Sequence, residues 1–270
     1  MAYLVTGASS GIGRAIATHL AGRGHEVVAG VRRVADAPPG RGIRPLLLDV
    51  TDGAQLAAAA KEIERLDGLV NNAGVTFAGP LEYLPLERLR DQLEINVVGL
   101  LAVTQAFLPA IRAGQGRVVM IGSAGGLVAT PFLGAYNASK FALEAISDAL
   151  RQELRPWRVP VVIIESGSHK SRNRAGTEVA LKADMERLGE QAKGRYGSAL
   201  EAFIRFSRKV EDGAGDPGRV AAVVERALTT RRPRARYFAG ADVRGVVAMS
   251  RLLPTGAMDA LLSRTVGLPH

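Results

Sequence analysis

The side chains best placed to do chemistry are Tyr136 and Lys140, four residues apart in the run Tyr136-Asn137-Ala138-Ser139-Lys140. On a helix that spacing puts both on one face. A free phenol titrates near pH 10 and is a poor proton carrier at neutrality. Lowering its pKa by about three units takes roughly 4 kcal/mol. A cation about 4 Å away, at an effective dielectric near 20, supplies a contribution of that order. Lys140 is spaced to be that cation. Ser123 lies upstream at the end of an apolar run, where its hydroxyl could bind and polarise a substrate oxygen. Together the three suit proton transfer at a carbonyl or alcohol oxygen.

A second constellation is Thr6-Gly7-Ala8-Ser9-Ser10-Gly11-Ile12-Gly13. Gly7, Gly11 and Gly13 allow a tight turn and a close approach of backbone to a pyrophosphate, while the helix that follows presents free N–H groups and partial positive charge. Ser9, Ser10 and Ile12 complete the loop, with Ser10 offering a hydroxyl. The next strand distinguishes the dinucleotides. A carboxylate at its end binds a ribose 2′-hydroxyl, but this chain has Val28-Ala29-Gly30-Val31-Arg32-Arg33, in which Arg32 suits a 2′-phosphate. NADP(H) is therefore expected in preference to NAD(H).

These residues need a scaffold. Patterning predicts strands over 3–6, 27–31, 43–48, 69–71, 117–121, 159–164 and 235–238, and helices over 12–20, 56–66, 86–112 and 135–155. The strands are apolar throughout and separated by helices, which implies parallel pairing with both sheet faces covered. The expected fold class is α/β: a doubly wound Rossmann-type fold with a mostly parallel central sheet, helices on both faces, and a helical insertion near 168–210. One domain is expected, with the cofactor-binding and catalytic core in 1–165, a helical substrate lid in 166–212, and the last helix, strand and tail in 213–270. In the insertion Leu181, Met185 and Leu188 share one face, and Leu200, Phe203 and Ile204 another. Asp216-Pro217 reads as a helix start. The tail carries Leu252, Leu253, Met258, Leu261 and Leu262, for core or partner contact or, as the alternative, contact with a membrane surface.

In order along residues 1–170 the chain carries the glycine loop, Asp49-Val50, Asn71-Asn72-Ala73-Gly74, Asn96, Ser123 and Tyr136 to Lys140. In this it resembles the short-chain dehydrogenase/reductase family. The resemblance implies that Asp49 contacts adenine and Val50 its neighbourhood. It implies that Asn71, Ala73 and Gly74 line the cofactor and brace the sheet, that Asn96 holds a water linking Lys140 to solvent, and that Lys140 also binds the nicotinamide ribose. The implied reaction moves a hydride between nicotinamide C4 and a carbonyl or alcohol carbon, with Tyr136 as acid and base. The C-terminal part, with Ala235-Arg236-Tyr237-Phe238 before an apolar tail, is similar to the retinol- and hydroxysteroid-dehydrogenase branch. Self-association as a dimer or tetramer through 86–112 and 135–155 is also implied.

The chain departs from the family pattern after the strand ending at Glu165. Pro-Gly, a β-branched residue and threonine are usual there; this chain has Ser166-Gly167-Ser168-His169-Lys170-Ser171. Gly167 is kept, and the resemblance implies that Ser171 would take over the threonine's hydroxyl contact to the carboxamide. Ser166 lacks proline's fixed φ, and His169 puts a polar ring at an apolar position. The change is either a tolerated variation or an altered pocket in which His169, Lys170, Arg172 and Arg174 receive an anionic group.

The 270 residues suffice for one sizeable core. The absence of cysteine excludes disulfides and thiol chemistry. His19, His25 and His270 form no ligand set, so no metal is expected. The net charge of +9 lies in the second part, since residues 1–150 carry 13 basic and 13 acidic side chains and the remainder 22 and 13. A solvated surface, an acidic ligand or an anionic lipid surface would suit it. Arg231-Arg232-Pro233-Arg234 lacks interleaved aromatics, so nucleic acid is not expected. There is no secretory signal pattern, and no stretch of roughly 18 consecutive apolar residues for a membrane span. A cytoplasmic protein acting on a small hydrophobic carbonyl or alcohol is expected. Two alternatives stay open: a cyclase or isomerase that keeps its cofactor without net redox turnover, and a non-catalytic NADPH-binding regulator.

Overall fold

The computed structural model describes residues 1–169, 181, 183 and 189–268. Its strands are β1 (Ala2–Thr6), β2 (Glu26–Val31), β3 (Ile43–Leu47), β4 (Gly68–Asn71), β5 (Arg117–Ser123), β6 (Val161–Ser166) and β7 (Arg236–Ala239). They stand in the order β3-β2-β1-β4-β5-β6-β7, and every neighbouring pair is parallel. The expected "mostly parallel" sheet is thus wholly parallel among the described residues.

Continuous apolar runs fill two cores, because alternate side chains of a strand point to opposite faces. Leu4, Leu69, Val118, Met120 and Ile163 join one core, and Tyr3, Val5, Val119, Ile121, Val162 and Ile164 the other. Strand β3 departs from the uniform pattern. It is an edge strand with Arg44, Pro45 and Leu47 exposed, and only an edge readily tolerates a proline.

The helices are α1 (Gly11–Gly22), α2 (Gly53–Glu62), α3 (Leu86–Leu93), α4 (Gly99–Gly114), α5 (Gly134–Glu153), α6 (Glu190–Asp212), α7 (Pro217–Thr229), α8 (Ala241–Leu252) and α9 (Thr255–Thr265). Helix α2 starts three residues before the predicted 56 because Asp52 caps it, its Oδ1 accepting from Ala54 N at 2.9 Å and Gln55 N at 3.0 Å. Helices α3 and α4 form one rod, Leu86–Gly114, through a π turn at Glu94–Val98. That rod is long and apolar enough to cross a membrane by length and composition, although it holds no run of roughly 18 consecutive apolar residues. Asn96, Thr104 and Gln105 interrupt a strict apolar run, yet the average remains apolar. Here Leu100, Val103, Phe107 and Ile111 are buried in the core against the sheet. Ile16 and Leu20 of α1 pack with Val220, Val224 and Leu228 of α7 on the opposite face.

Above the sheet, Leu200, Phe203 and Ile204 of α6 form a third cluster with Phe132, Leu181 and Val266. Met185 and Leu188, expected beside Leu181, lie outside the described residues, as do Lys170, Ser171, Arg172, Arg174 and His270. The apolar tail forms α8 and α9.

Candidate active site

Strand order reverses between β1 and β4, and open parallel sheets bind ligands beyond their carboxyl ends at such a point. A cleft of about 1280 Å³ runs there. Gly7, Ser9, Ser10, Gly11, Ile12 and Gly13 line one stretch of it; Arg32, Asp49, Val50, Ala73 and Gly74 line the next; Asn96, Ser123, Tyr136, Lys140 and Gly167 line the far end. Asn71 is placed differently from the expectation. It sits behind the cleft, with Nδ2 donating to Thr104 Oγ1 at 2.7 Å, while Asn72 takes the lining position. Ser171 is outside the described residues.

The glycine loop has the shape its composition predicts. Gly7 and Gly11 have φ of +64° and +54°, a region that strains side-chain-bearing residues. A Cβ on Gly13 would stand 2.3 Å from Gly7 O. Asn72 Nδ2 donates to Thr6 O at 2.9 Å and Gly7 O at 3.3 Å. Thr6 Oγ1 accepts from Asn72 N and Ala73 N, each at 3.0 Å. Ser10 is the N-cap of α1 and makes no side-chain capping bond, so it does not occupy the N–H groups of that first turn.

At the end of the cleft beyond β2, Arg33 is tied to Asp36 at 2.8 Å, whereas Arg32 is exposed and has no ion-pair partner among the described residues. Asp36 also lines the cleft, a carboxylate that the reading of the strand end left out; Arg33 balances it. Asp49 Oδ1 accepts from Thr51 N at 3.0 Å and Thr51 Oγ1 at 2.8 Å.

At the other end, Ser123 closes β5 and caps a short 3₁₀ turn, its Oγ accepting from Gly125 N at 3.1 Å. Tyr136 and Lys140 stand on α5, with Lys140 Nζ 5.9 Å from the centre of the Tyr136 ring. Lys140 Nζ also donates to Ile121 O at 2.8 Å. Burial lowers the lysine pKa from 10.5 to about 8, against the opposing pull of Glu165 and Glu144. Asn96, inside the π turn, accepts from Val75 N at 2.9 Å and donates to Val75 O at 3.0 Å and Ser139 Oγ at 3.1 Å.

Spacing arguments missed two further amides. Gln92, one turn before Asn96, accepts from Phe77 N at 2.8 Å and donates to Val75 O at 2.7 Å. Asn137 accepts from Thr130 N at 3.0 Å and donates to Gly125 O at 2.8 Å, pinning the loop that follows Ser123. The departure at 166–169 has its own bonds. Ser166 Oγ donates to Gly122 O at 2.9 Å, and the buried His169 ring lies 2.9 Å from Gly167 O. Thus Ser166 ties β6 to β5 where proline would have fixed φ.

The upper wall is apolar. Leu181, Phe203 and Ile204 face the cleft with Val243 and Met249 of α8 and Met258 and Leu262 of α9. Near the mouth, Glu82 accepts from Arg195 Nη1 at 2.8 Å and Tyr196 Oη at 2.9 Å, fastening α6 to the segment before α3.

The family profile described as short chain dehydrogenase matches residues 2–181. The chain is 36% identical over 276 residues to retinol dehydrogenase 5 of Mus musculus, an alignment covering 96% of this chain and 86% of that protein. It is 34% identical over 275 residues to the NADPH-dependent 3-dehydrocapnine reductase of Ornithobacterium rhinotracheale, covering 96% and 94%. A solved structure of a short chain dehydrogenase from Burkholderia cenocepacia J2315, in complex with NADP, matches with a TM-score of 0.77 at 25% identity, covering 97% of this chain and 96% of that one.

Proposed function

The chain belongs to the short-chain dehydrogenase family and is an oxidoreductase acting on CH–OH and C=O groups; we propose that it works with NADP(H) on an apolar small molecule, with Tyr136 as the proton-transferring residue. The observation that carries this reading is the convergence of Ser123, Tyr136 and Lys140 in one cleft with the glycine loop.

The residues fit a dinucleotide. Gly7, Gly11 and Gly13 leave backbone where side chains would intrude, and the amino end of α1 suits a phosphate. Arg32 would hold the 2′-phosphate, Asp49 and Val50 the adenine side, and Lys140 the nicotinamide ribose. The cofactor, when bound, supplies or accepts the hydride. In reduction Ser123 and Tyr136 donate hydrogen bonds to the substrate oxygen and polarise it. The phenolic proton passes to that oxygen as charge develops on it. Lys140, cationic below about pH 8, stabilises the phenolate left behind. The side chain of Asn96 is committed to Val75 and Ser139, so its link to a water falls to its backbone in the π turn.

The apolar wall supports a hydrophobic substrate; of the lid expected over 166–212, α6 supplies Phe203 and Ile204 to that wall. The dimer or tetramer implied by resemblance is supported by Val98 and Phe141, apolar residues left 51% and 44% exposed on the two helices expected to pair. Ser166 and His169, which depart from the family pattern, are engaged in bonds within the fold.

A panel of apolar ketones and aldehydes, assayed with NADPH and NADH in parallel, tests the proposal. NADPH should be consumed stoichiometrically with product. Tyr136→Phe should lower kcat by about 10²- to 10⁴-fold, and Arg32→Ala should raise the KM for NADPH about tenfold while sparing NADH. Full turnover by Tyr136→Phe would refute the mechanism, and an equal effect of Arg32→Ala on both cofactors would refute the cofactor preference.

A further inference from the structure

Behind Lys140 lies a group of buried charges that the mechanism above does not use. Glu165, next to last in β6, is 0% exposed and pairs in register with Gly122 of β5. A Cβ on Gly122 would stand 2.7 Å from Glu165 Oε2, so the carboxyl occupies the space that glycine leaves. Gly122 is flanked by Ser123 and by Ile121, whose carbonyl receives the Lys140 ammonium. Glu144 sits one turn beyond Lys140 on α5 and is also buried. From β7, Arg236 binds Glu144 through both Nε and Nη2, reaches Asp148 Oδ2 at 3.2 Å, and lies 3.5 Å from Glu165 Oε1.

The charged groups acting on Glu165 are Lys140 and Glu144 of α5 and Arg236 of β7, which Asp148 of α5 also binds; Gly122 of β5 brings no charge. Asp148 is also held by Arg151. As two carboxylates, Glu144 and Glu165 offer each other only lone pairs. Both oxygens of Glu165 and Oε1 of Glu144 are buried with no hydrogen-bond partner among the described residues. One proton between them turns this repulsive contact into a hydrogen bond and removes an unpaired buried charge.

We propose that Glu165 is a positioning residue for Lys140, and that the buried Glu165–Glu144 pair with its partly exposed Arg236 determines how far into alkaline pH the Lys140 ammonium persists. The inference rests on the reading that Lys140 serves Tyr136. Burial and the neighbouring Glu144 hold the Glu165 carboxyl well above the usual range, with Arg236 and Lys140 drawing it back. Glu165 and Lys140 then release protons in the same alkaline region and titrate as a pair. A proton lost from Glu165 leaves a carboxylate beside the ammonium and keeps Lys140 charged. With a neutral amide in its place, the lysine itself must give up the proton.

The test is the pH profile of kcat for reduction by the full-length enzyme. Glu165→Gln should move the alkaline limb down by about one pH unit, and Glu165→Asp, which keeps a carboxylate, should bring it back towards wild type. A Glu165→Gln profile lowered evenly with its limb in place, as a merely structural role would give, overturns the proposal. Infrared spectra of wild-type protein carrying ¹³C-labelled glutamate read the cluster without any substitution or substrate. A protonated carboxyl band should be present at neutral pH and bleach in the alkaline range; its absence at neutral pH overturns the proposal. Failure of the functional reading looks different: no turnover with either cofactor, or turnover that survives Tyr136→Phe.

Discussion

Thr6 illustrates how a residue with no chemistry of its own holds a site together. Its hydroxyl, at the carboxyl end of β1, accepts two backbone N–H groups that fix Asn72 and Ala73 against the glycine loop. Thr6→Val keeps the shape and leaves both donors unsatisfied in the interior. Each such loss costs about 1–3 kcal/mol, so urea unfolding should show a loss of roughly 2–6 kcal/mol, together with weaker NADPH binding by fluorescence titration. A variant as stable as wild type would show that the hydroxyl is not what braces this loop. Tyr136, Lys140, Ser123 and the glycines were legible in the sequence because their chemistry demands a residue type at a spacing. Asn72, Gln92 and Asn137 were not, because their amides bind backbone that only the fold brings within reach. Asn71 shows the converse limit: adjacent to Asn72 in a recognised run, it points away from the cleft and into the sheet–helix core.

The rod formed by α3 and α4 joins the back of the molecule to the site through the π turn. Gln92 and Asn96, one turn apart, grip Val75 and Phe77 much as a neighbouring strand would. Removing either should cost about 2 kcal/mol. The double variant Gln92→Ala with Asn96→Ala should cost less than the sum, because the first loss already frees the loop at 75–77. Strict additivity in unfolding measurements would show that the two act independently. Long periodic elements were readable from the apolar pattern; their ends at the site were not. Strands β5 and β6 each run two residues past the predicted 121 and 164. Gly122-Ser123 and Glu165-Ser166 resemble loop residues, and polar groups are placed in a strand here because the chemistry sits at its carboxyl end. The start of α2 was missed for a simpler reason: Asp52 caps it ahead of the first apolar position.

At the scale of the whole molecule, the doubly wound class was legible because apolar strands alternating with helices admit few other packings. The two helices of the tail were visible only as scattered apolar residues: Gly240, Pro254 and Gly267 bound them, but neither start carries a side-chain cap. The wholly parallel sheet also governs how the chain reaches its native state. No neighbouring strands can meet through a hairpin: Tyr3 lies beside Gly68, and Ile163 beside Arg236. Each pairing waits for a long excursion to close, so sticky apolar strands stand uncovered while the ends diffuse together. Recovery from denaturant should therefore be slow, and its yield should fall as protein concentration rises, because collisions between half-formed copies compete with closure. Dilution refolding followed by recovered NADPH binding measures this, and a yield independent of concentration would show that the strands find each other before another molecule does.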